Sequence, residues 1–323
     1  MKKLFPNGCP VKRSRAWSAL QRLFRAVLFD RTGALRRGVK LTAALLAVLA
    51  AAWAVPLGLT ALFQALFSAW GVTSETVTRA PGWARWLFGG FLYVNGFVQG
   101  AAISLAAVWI GRALGERVRL GKGLWQGVAA GALAAAVLIA FFRVTDVMRF
   151  GHALSSPQIS VLTPMLMLYV LLQALGAVLA VGLIGQVLSG WHRVLAYLGC
   201  AACYAVLFGR WTFVGFLNSA LFGLLLWWMR EKKGGVAPAF GFLAAFSFLV
   251  VGVFGMPPWQ QGAPYETYEV SKSWLTGGGM GPWAGLFMTA ILLGLILALA
   301  LPSRRTKSAP PAPPASGQPS GKS

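Results

Sequence analysis

The chain has 323 residues, 57% of them hydrophobic and only 11% charged, with a mean hydropathy of +0.67. Soluble domains carry about a quarter charged residues, so this composition excludes an ordinary soluble enzyme and points to a membrane protein. The net charge of +22 does not indicate nucleic-acid binding: the basic residues cluster beside apolar stretches, as in cytoplasmic loops facing anionic lipid headgroups.

Residues 1–40 form a basic segment expected on the cytoplasmic side. Within it, Ser14 to Asp30 predicts an amphipathic helix, because Trp17, Leu20, Leu23, Phe24, Val27 and Leu28 recur at helical spacing while Arg15, Arg22 and Arg25 point away. Such a helix lies in the inner interface with its basic face on anionic headgroups; the alternative is a cytoplasmic helix against the bundle. Residues 41–302 predict the membrane bundle. Crossing the hydrocarbon core takes about 20 apolar residues, and eight stretches reach or approach that length. They are Leu41 to Phe67, Leu87 to Ile110, Leu124 to Phe142, Val161 to Leu188, Val194 to Phe208, Phe213 to Met229, Val236 to Phe254 and Trp283 to Leu301. The fifth and sixth are short, fitting either two tilted spans or one re-entrant unit broken at Gly209-Arg210-Trp211. The first run is too long for a signal peptide, so no cleavage is expected. The tail 303–323, rich in Pro, Ala, Ser and Gly, reads as a disordered cytoplasmic end.

The positive-inside rule tests this count independently. With the N-terminus inside, 23 of the 29 Lys and Arg fall in cytoplasmic segments; only Arg79, Arg85, Arg143, Arg149, Arg210 and Lys272 fall outside. Losing one span would place basic loops on the wrong face. The expected fold is therefore an all-α polytopic bundle of about eight spans in the plasma (inner) membrane, with both ends cytoplasmic. Gly96-x-x-x-Gly100 and Gly127-x-x-x-Gly131 each put two glycines on one helix face and read as close helix packing. No internal repeat supports an inverted-repeat transporter.

Catalysis or ion coupling inside a bilayer usually needs a buried ionisable group. Asp30, Glu75, Glu116, Asp146, Glu231, Glu266, Glu269, His152 and His192 all fall in loops or flanks of the predicted spans. No catalytic residue, cofactor site or metal site is assigned. The uncharged polar residues inside include Asn95, Gln99, Gln126, Gln173, Asn218, Ser219 and Ser247. Of these Asn95, Gln99, Gln173, Asn218, Ser219 and Ser247 are candidates for lining a small cavity; the competing reading is interhelical hydrogen bonding. Cys200-x-x-Cys203 has redox spacing but no partner ligand in its span, and with Cys9 it makes no disulfide framework. Gly277-Gly278-Gly279 reads as a turn before the last span.

Three runs carry a family resemblance: Phe216 to Gly235 (FLNSALFGLLLWWMREKKGG), Ala239 to Pro257 (AFGFLAAFSFLVVGVFGMP), and Tyr268 to Phe287 (YEVSKSWLTGGGMGPWAGLF). In order and spacing, residues 173–301 resemble the CAAX-protease and bacteriocin-processing family of intramembrane proteases. That resemblance implies a helical bundle with a water-activating centre built from a Glu-Glu-x-x-x-Arg motif, a His, and a His-x-x-x-Asn motif. The aligned positions hold Ala177 and Val178 for the glutamates, Gly182 for the arginine, Phe208 or Gly209 for the first His, and Leu243 and Ser247 for the final His and Asn. Without carboxylate and imidazoles there is no general base and no ligand set at those positions. The reading is a non-catalytic member that binds a membrane protein, a peptide or a lipid. The alternatives are a divergent intramembrane metalloprotease recruiting Glu266, Glu269 or His152, and a small permease, or permease subunit, for a neutral solute.

Overall fold

The computed structural model describes residues 37–72, 76, 82–116, 118–153, 159–209, 212–256, 263–269 and 272–301. The expected amphipathic helix at Ser14 to Asp30 and the tail from Ser303 lie outside the described residues. Among the described residues, eight long helices coincide with the eight apolar stretches. They are α1 (Arg37–Ala69), α2 (Gly82–Ala113), α3 (Leu124–Val144), α4 (Ile159–Ser189), α5 (Arg193–Phe208), α6 (Phe213–Lys233), α7 (Ala237–Val253) and α8 (Leu286–Ala300). All of α1, α3 and α6, with Tyr93–Ala113 of α2 and Thr163–Ser189 of α4, are long and apolar enough to cross a membrane; α5, α7 and α8 are shorter. The molecule is an all-α bundle of an integral membrane protein. One addition to the helical plan is a two-stranded antiparallel ladder of β1 (Met148–Ala153) and β2 (Tyr265–Glu269), which pairs Arg149 with Tyr268 and Phe150 with Thr267.

Local sequence explains the helix details. In α1, Pro56 has no N–H and its ring opposes the carbonyl four residues earlier, at Ala52. The helix widens into a π-turn at Ala50–Ala54, and Gln99 Nε2 of α2 donates to the Ala52 carbonyl at 2.7 Å. At the start of α6, Thr212 accepts from the Gly215 N–H (3.1 Å), and the helix closes with Gly234 at φ +72°. Its last turn carries Arg230, Lys232 and Lys233, which favour the negative end of the helix dipole. The helix thus continues four residues beyond Met229, with Arg230 partly buried and Glu231 exposed.

Small residues set the packing. The face carrying Gly96 and Gly100 meets α4 at Tyr169, Leu172 and Gln173, and Gly176 approaches Gly100 from the other side. Gly127 and Gly131 of α3 sit on the backbone of Pro238 and Phe242 in α7. Gly96 makes room for the Tyr169 ring, and at Gly100, Gly127 and Gly131 the neighbouring backbone passes where a side chain would stand, which allows wide van der Waals contact between apolar helices. The most buried of the five long apolar helices is α4, with α1, α2, α5 and α7 packed around it.

Candidate functional site

A cavity of about 110 Å³ lies between α4, α5, α6 and α7. Gln173 and Ala177 project from α4, Tyr204 and Phe208 from α5, and Leu243 and Ser247 from α7, each pair four residues apart on one helix face. Ser219 of α6 and Trp283, in the turn Pro282–Ala284 before α8, complete the walls. By the space one water needs, this volume holds several waters or one small side chain, and it is well short of the roughly 300 Å³ of an ordinary ligand pocket.

The sequence candidates divide into two groups. Gln173, Ser219 and Ser247 border the cavity, whereas Asn95, Gln99 and Asn218 use their amides to join helices. Asn95 Nδ2 donates to Thr60 Oγ1 at 3.2 Å, tying α2 to α1. Gln173 Nε2 donates to Gln99 Oε1 (2.9 Å) and to the Gly96 carbonyl (2.7 Å), so an amide chain runs from the Ala52 carbonyl through Gln99 to the cavity edge. Asn218 makes three of its four possible hydrogen bonds: its Nδ2 donates to the carbonyls of Trp283 (2.9 Å) and Gly285 (3.0 Å), and its Oδ1 accepts from Thr289 Oγ1 (2.7 Å). That clasp fixes the turn carrying Trp283 against α6. Ser219 Oγ donates to the Gly215 carbonyl within its own helix at 2.8 Å, leaving its oxygen lone pairs toward the cavity. Gln126 is exposed at the start of α3.

Of the positions aligned with the protease motifs, Ala177, Phe208, Leu243 and Ser247 all border this one cavity. Val178 is buried beside it, and Gly182 lies a turn and a half further along α4, where a Cβ would stand 3.7 Å from Arg230 Nε. Among the described residues the lining contains no carboxylate, imidazole, thiol or ammonium. It offers amide, hydroxyl and indole groups, which bind and orient but do not ionise as bases near neutral pH. Comparison with protein-family models, with curated proteins and with solved structures finds no match to this chain.

A second polar cluster was not visible in the sequence. Lys40 Nζ pairs with Glu116 Oε1 at 3.2 Å, Gln186 Nε2 donates to Glu116 Oε2 at 3.2 Å, and Arg230 Nη2 donates to Gln186 Oε1 at 2.7 Å. The Arg230 guanidinium also lies 4.5 Å from the centre of the Trp227 ring. This chain of groups ties α1, the α2–α3 loop, α4 and α6 at one end of the bundle. Its one sequence clue is Glu116, a single acid among Arg112, Arg117, Arg119 and Lys122. The thiols of Cys200 and Cys203 are free and buried, and Cys200 Sγ donates to the Val181 carbonyl at 3.3 Å. As for the loop groups of the enzyme alternative, the ladder sets Phe150 opposite Thr267 and Ala153 opposite Tyr265. Its irregularity leaves the backbone of Gly151 and His152 opposite Glu266. Gly277 and Gly278 both take positive φ, forming the turn expected before α8.

Proposed function

We propose that this protein is an eight-span membrane protein with a CAAX-protease-like C-terminal bundle that binds a membrane protein, peptide or lipid and does not hydrolyse it. The observation that carries this reading is the convergence of Ala177, Phe208, Leu243 and Ser247 on one cavity. These four positions come from three different helices, and their shared cavity supports the reading, although Val178 and Gly182 do not line it. The shape of a reaction chamber is retained there while the groups that would activate water are replaced by methyl, aromatic, aliphatic and hydroxyl side chains. A chamber of this size takes a single inserted side chain or chain end, held by van der Waals contact and oriented by Gln173, Ser219 and Ser247. The topology belongs to the same reading: both ends inside, in a plasma (inner) membrane, supported by the side bias of Lys and Arg.

The test is site-specific photo-crosslinking in native membranes. A photoreactive residue at Phe208 should form one discrete adduct, and Ala177→Leu, which fills the chamber from α4, should abolish it. An adduct unaffected by Ala177→Leu would overturn the binding role. Chelator-sensitive cleavage of a membrane peptide by the purified protein would overturn its non-catalytic part.

A further inference from the structure

A larger cavity, about 310 Å³, lies on the other side of α5, between α5, α1 and α4. Its walls include Leu41, Leu45 and Val48 of α1, Ile184 and Leu188 of α4, and Ala202 of α5, and every lining residue is apolar. An apolar cavity of about 150 Å³ already stays dry and takes up benzene, so this one favours hydrocarbon over water. Leu41 to Val48 spans two helical turns, so the groove runs along the helices for about 10 Å. It opens sideways at Ala202 and Val206, both exposed. A helix with its side chains is about 10–12 Å across and does not enter; a single acyl chain does.

The end of this groove nearest Leu41 and Leu188 is positively charged. Arg37 is exposed one turn before Leu41 and lies across the α4–α5 turn, where a methyl on Gly190 would stand 3.3 Å from its guanidinium. Trp191, half exposed, follows Leu188 by three residues and packs beside Gly38. Among the described residues Arg37 takes part in no ion pair, while Lys40 and Arg193 nearby are matched by Glu116 and Glu231. Lipid tails are as apolar as leucine, so burying a chain gives no preference for this groove over the surrounding bilayer. Preference has to come from the headgroup, and the headgroup attracted to an unmatched guanidinium beside an interfacial Trp is an anionic one.

We propose that the groove between α1, α4 and α5 holds one acyl chain of an anionic phospholipid, its phosphate at Arg37. The site is independent of the binding role proposed above: Tyr204 and Phe208 face the first cavity, whereas Ala202 and Val206 face this one.

The experiment is native mass spectrometry of the full chain from detergent, re-lipidated with an equimolar mixture of phosphatidylglycerol and phosphatidylcholine. Wild type should retain one phosphatidylglycerol. Ala202→Phe should lose it; the residue is exposed, so the ring enters the groove without disturbing the core, and an unchanged thermal midpoint verifies folding. Arg37→Gln should keep a bound lipid but lower the preference for phosphatidylglycerol about fivefold, the weight of one basic residue at an anionic surface. Equal retention of the two lipids by wild type, or undiminished retention by Ala202→Phe, would overturn the proposal. So would lipid retention that appears only after removal of residues 1–36, which would make the N-terminal segment the occupant.

Discussion

Replacing Gly100 with alanine adds one methyl group where α2 and α4 touch. Its carbon would stand 2.6 Å from the Leu172 carbonyl carbon, 2.7 Å from that oxygen and 2.8 Å from the Gln173 nitrogen. Comfortable carbon contacts lie at about 3.5–4.0 Å, so the helices have to separate by roughly 1 Å. The obstacle is backbone and no rotamer change relieves it. Overpacking of this kind costs about 1–3 kcal/mol. The same displacement stretches the Gln173 bonds to Gly96 and Gln99, now 2.7 and 2.9 Å, past hydrogen-bonding range. Each loss adds about 0.6 kcal/mol, the average for interhelical bonds in a membrane. Alanine's better helix propensity returns up to about 1 kcal/mol. The expected net destabilisation is about 1–3 kcal/mol, read by reversible unfolding in mixed micelles. Gly294→Ala, with no atom within 4 Å of the added carbon, is the control and should be neutral or slightly stabilising. A Gly100→Ala protein as stable as wild type, or an equal loss in Gly294→Ala, would refute the close-packing argument.

Asn218→Leu should cost about 2 kcal/mol or more, because it leaves the buried carbonyls of Trp283 and Gly285 without a donor. It should also loosen Trp283, measurable as reduced protection of residues 282–285 in hydrogen exchange. Glu116→Gln keeps the shape but removes the anion between Lys40 and the Gln186–Arg230 arm. A loss of about 1–2 kcal/mol is expected, smaller in high salt because Lys40 and Glu116 retain some solvent exposure. Pairing with Arg149 holds the Asp146 carboxyl below the usual carboxylate range. Its folded pKa is depressed, so its contribution is complete above about pH 3.9 and lost as pH falls through the folded value. The thermal-midpoint gap between wild type and Asp146→Asn should therefore close in acid.

Much of the architecture was legible because lipid imposes a simple rule. A helix in hydrocarbon satisfies its own backbone, so the apolar runs from Leu41 to Leu301 reappear as helices with ends shifted by a few residues. The glycine pairs announced close helix packing, because few other residues let two backbones touch, but not that the partners are α4 and α7. The cavity was half legible. Gln173, Ser219 and Ser247 stood out as polar residues in apolar runs, but Tyr169, Tyr204 and Trp283 did not, since aromatic residues are ordinary in spans. The Lys40–Glu116–Gln186–Arg230 chain was hidden because its partners are 44 to 76 residues apart. No periodicity encodes such pairings. The β1–β2 ladder likewise joins two loops more than a hundred residues apart, whose lengths alone gave no reason to expect strands.

The modest length of α5 has a consequence for the lipid around it. Its first turn is moored by Arg193 to Glu231 at 2.8 Å, with the Tyr197 hydroxyl on the same carboxylate. From that anchor its 16 residues rise only about 24 Å, against roughly 30 Å of hydrocarbon. Under the proposed orientation α5 is shorter than the hydrocarbon it crosses, so the outer leaflet is expected to thin beside Phe208. A bilayer of shorter-tailed lipids would then relieve the mismatch at α5 without any helix moving.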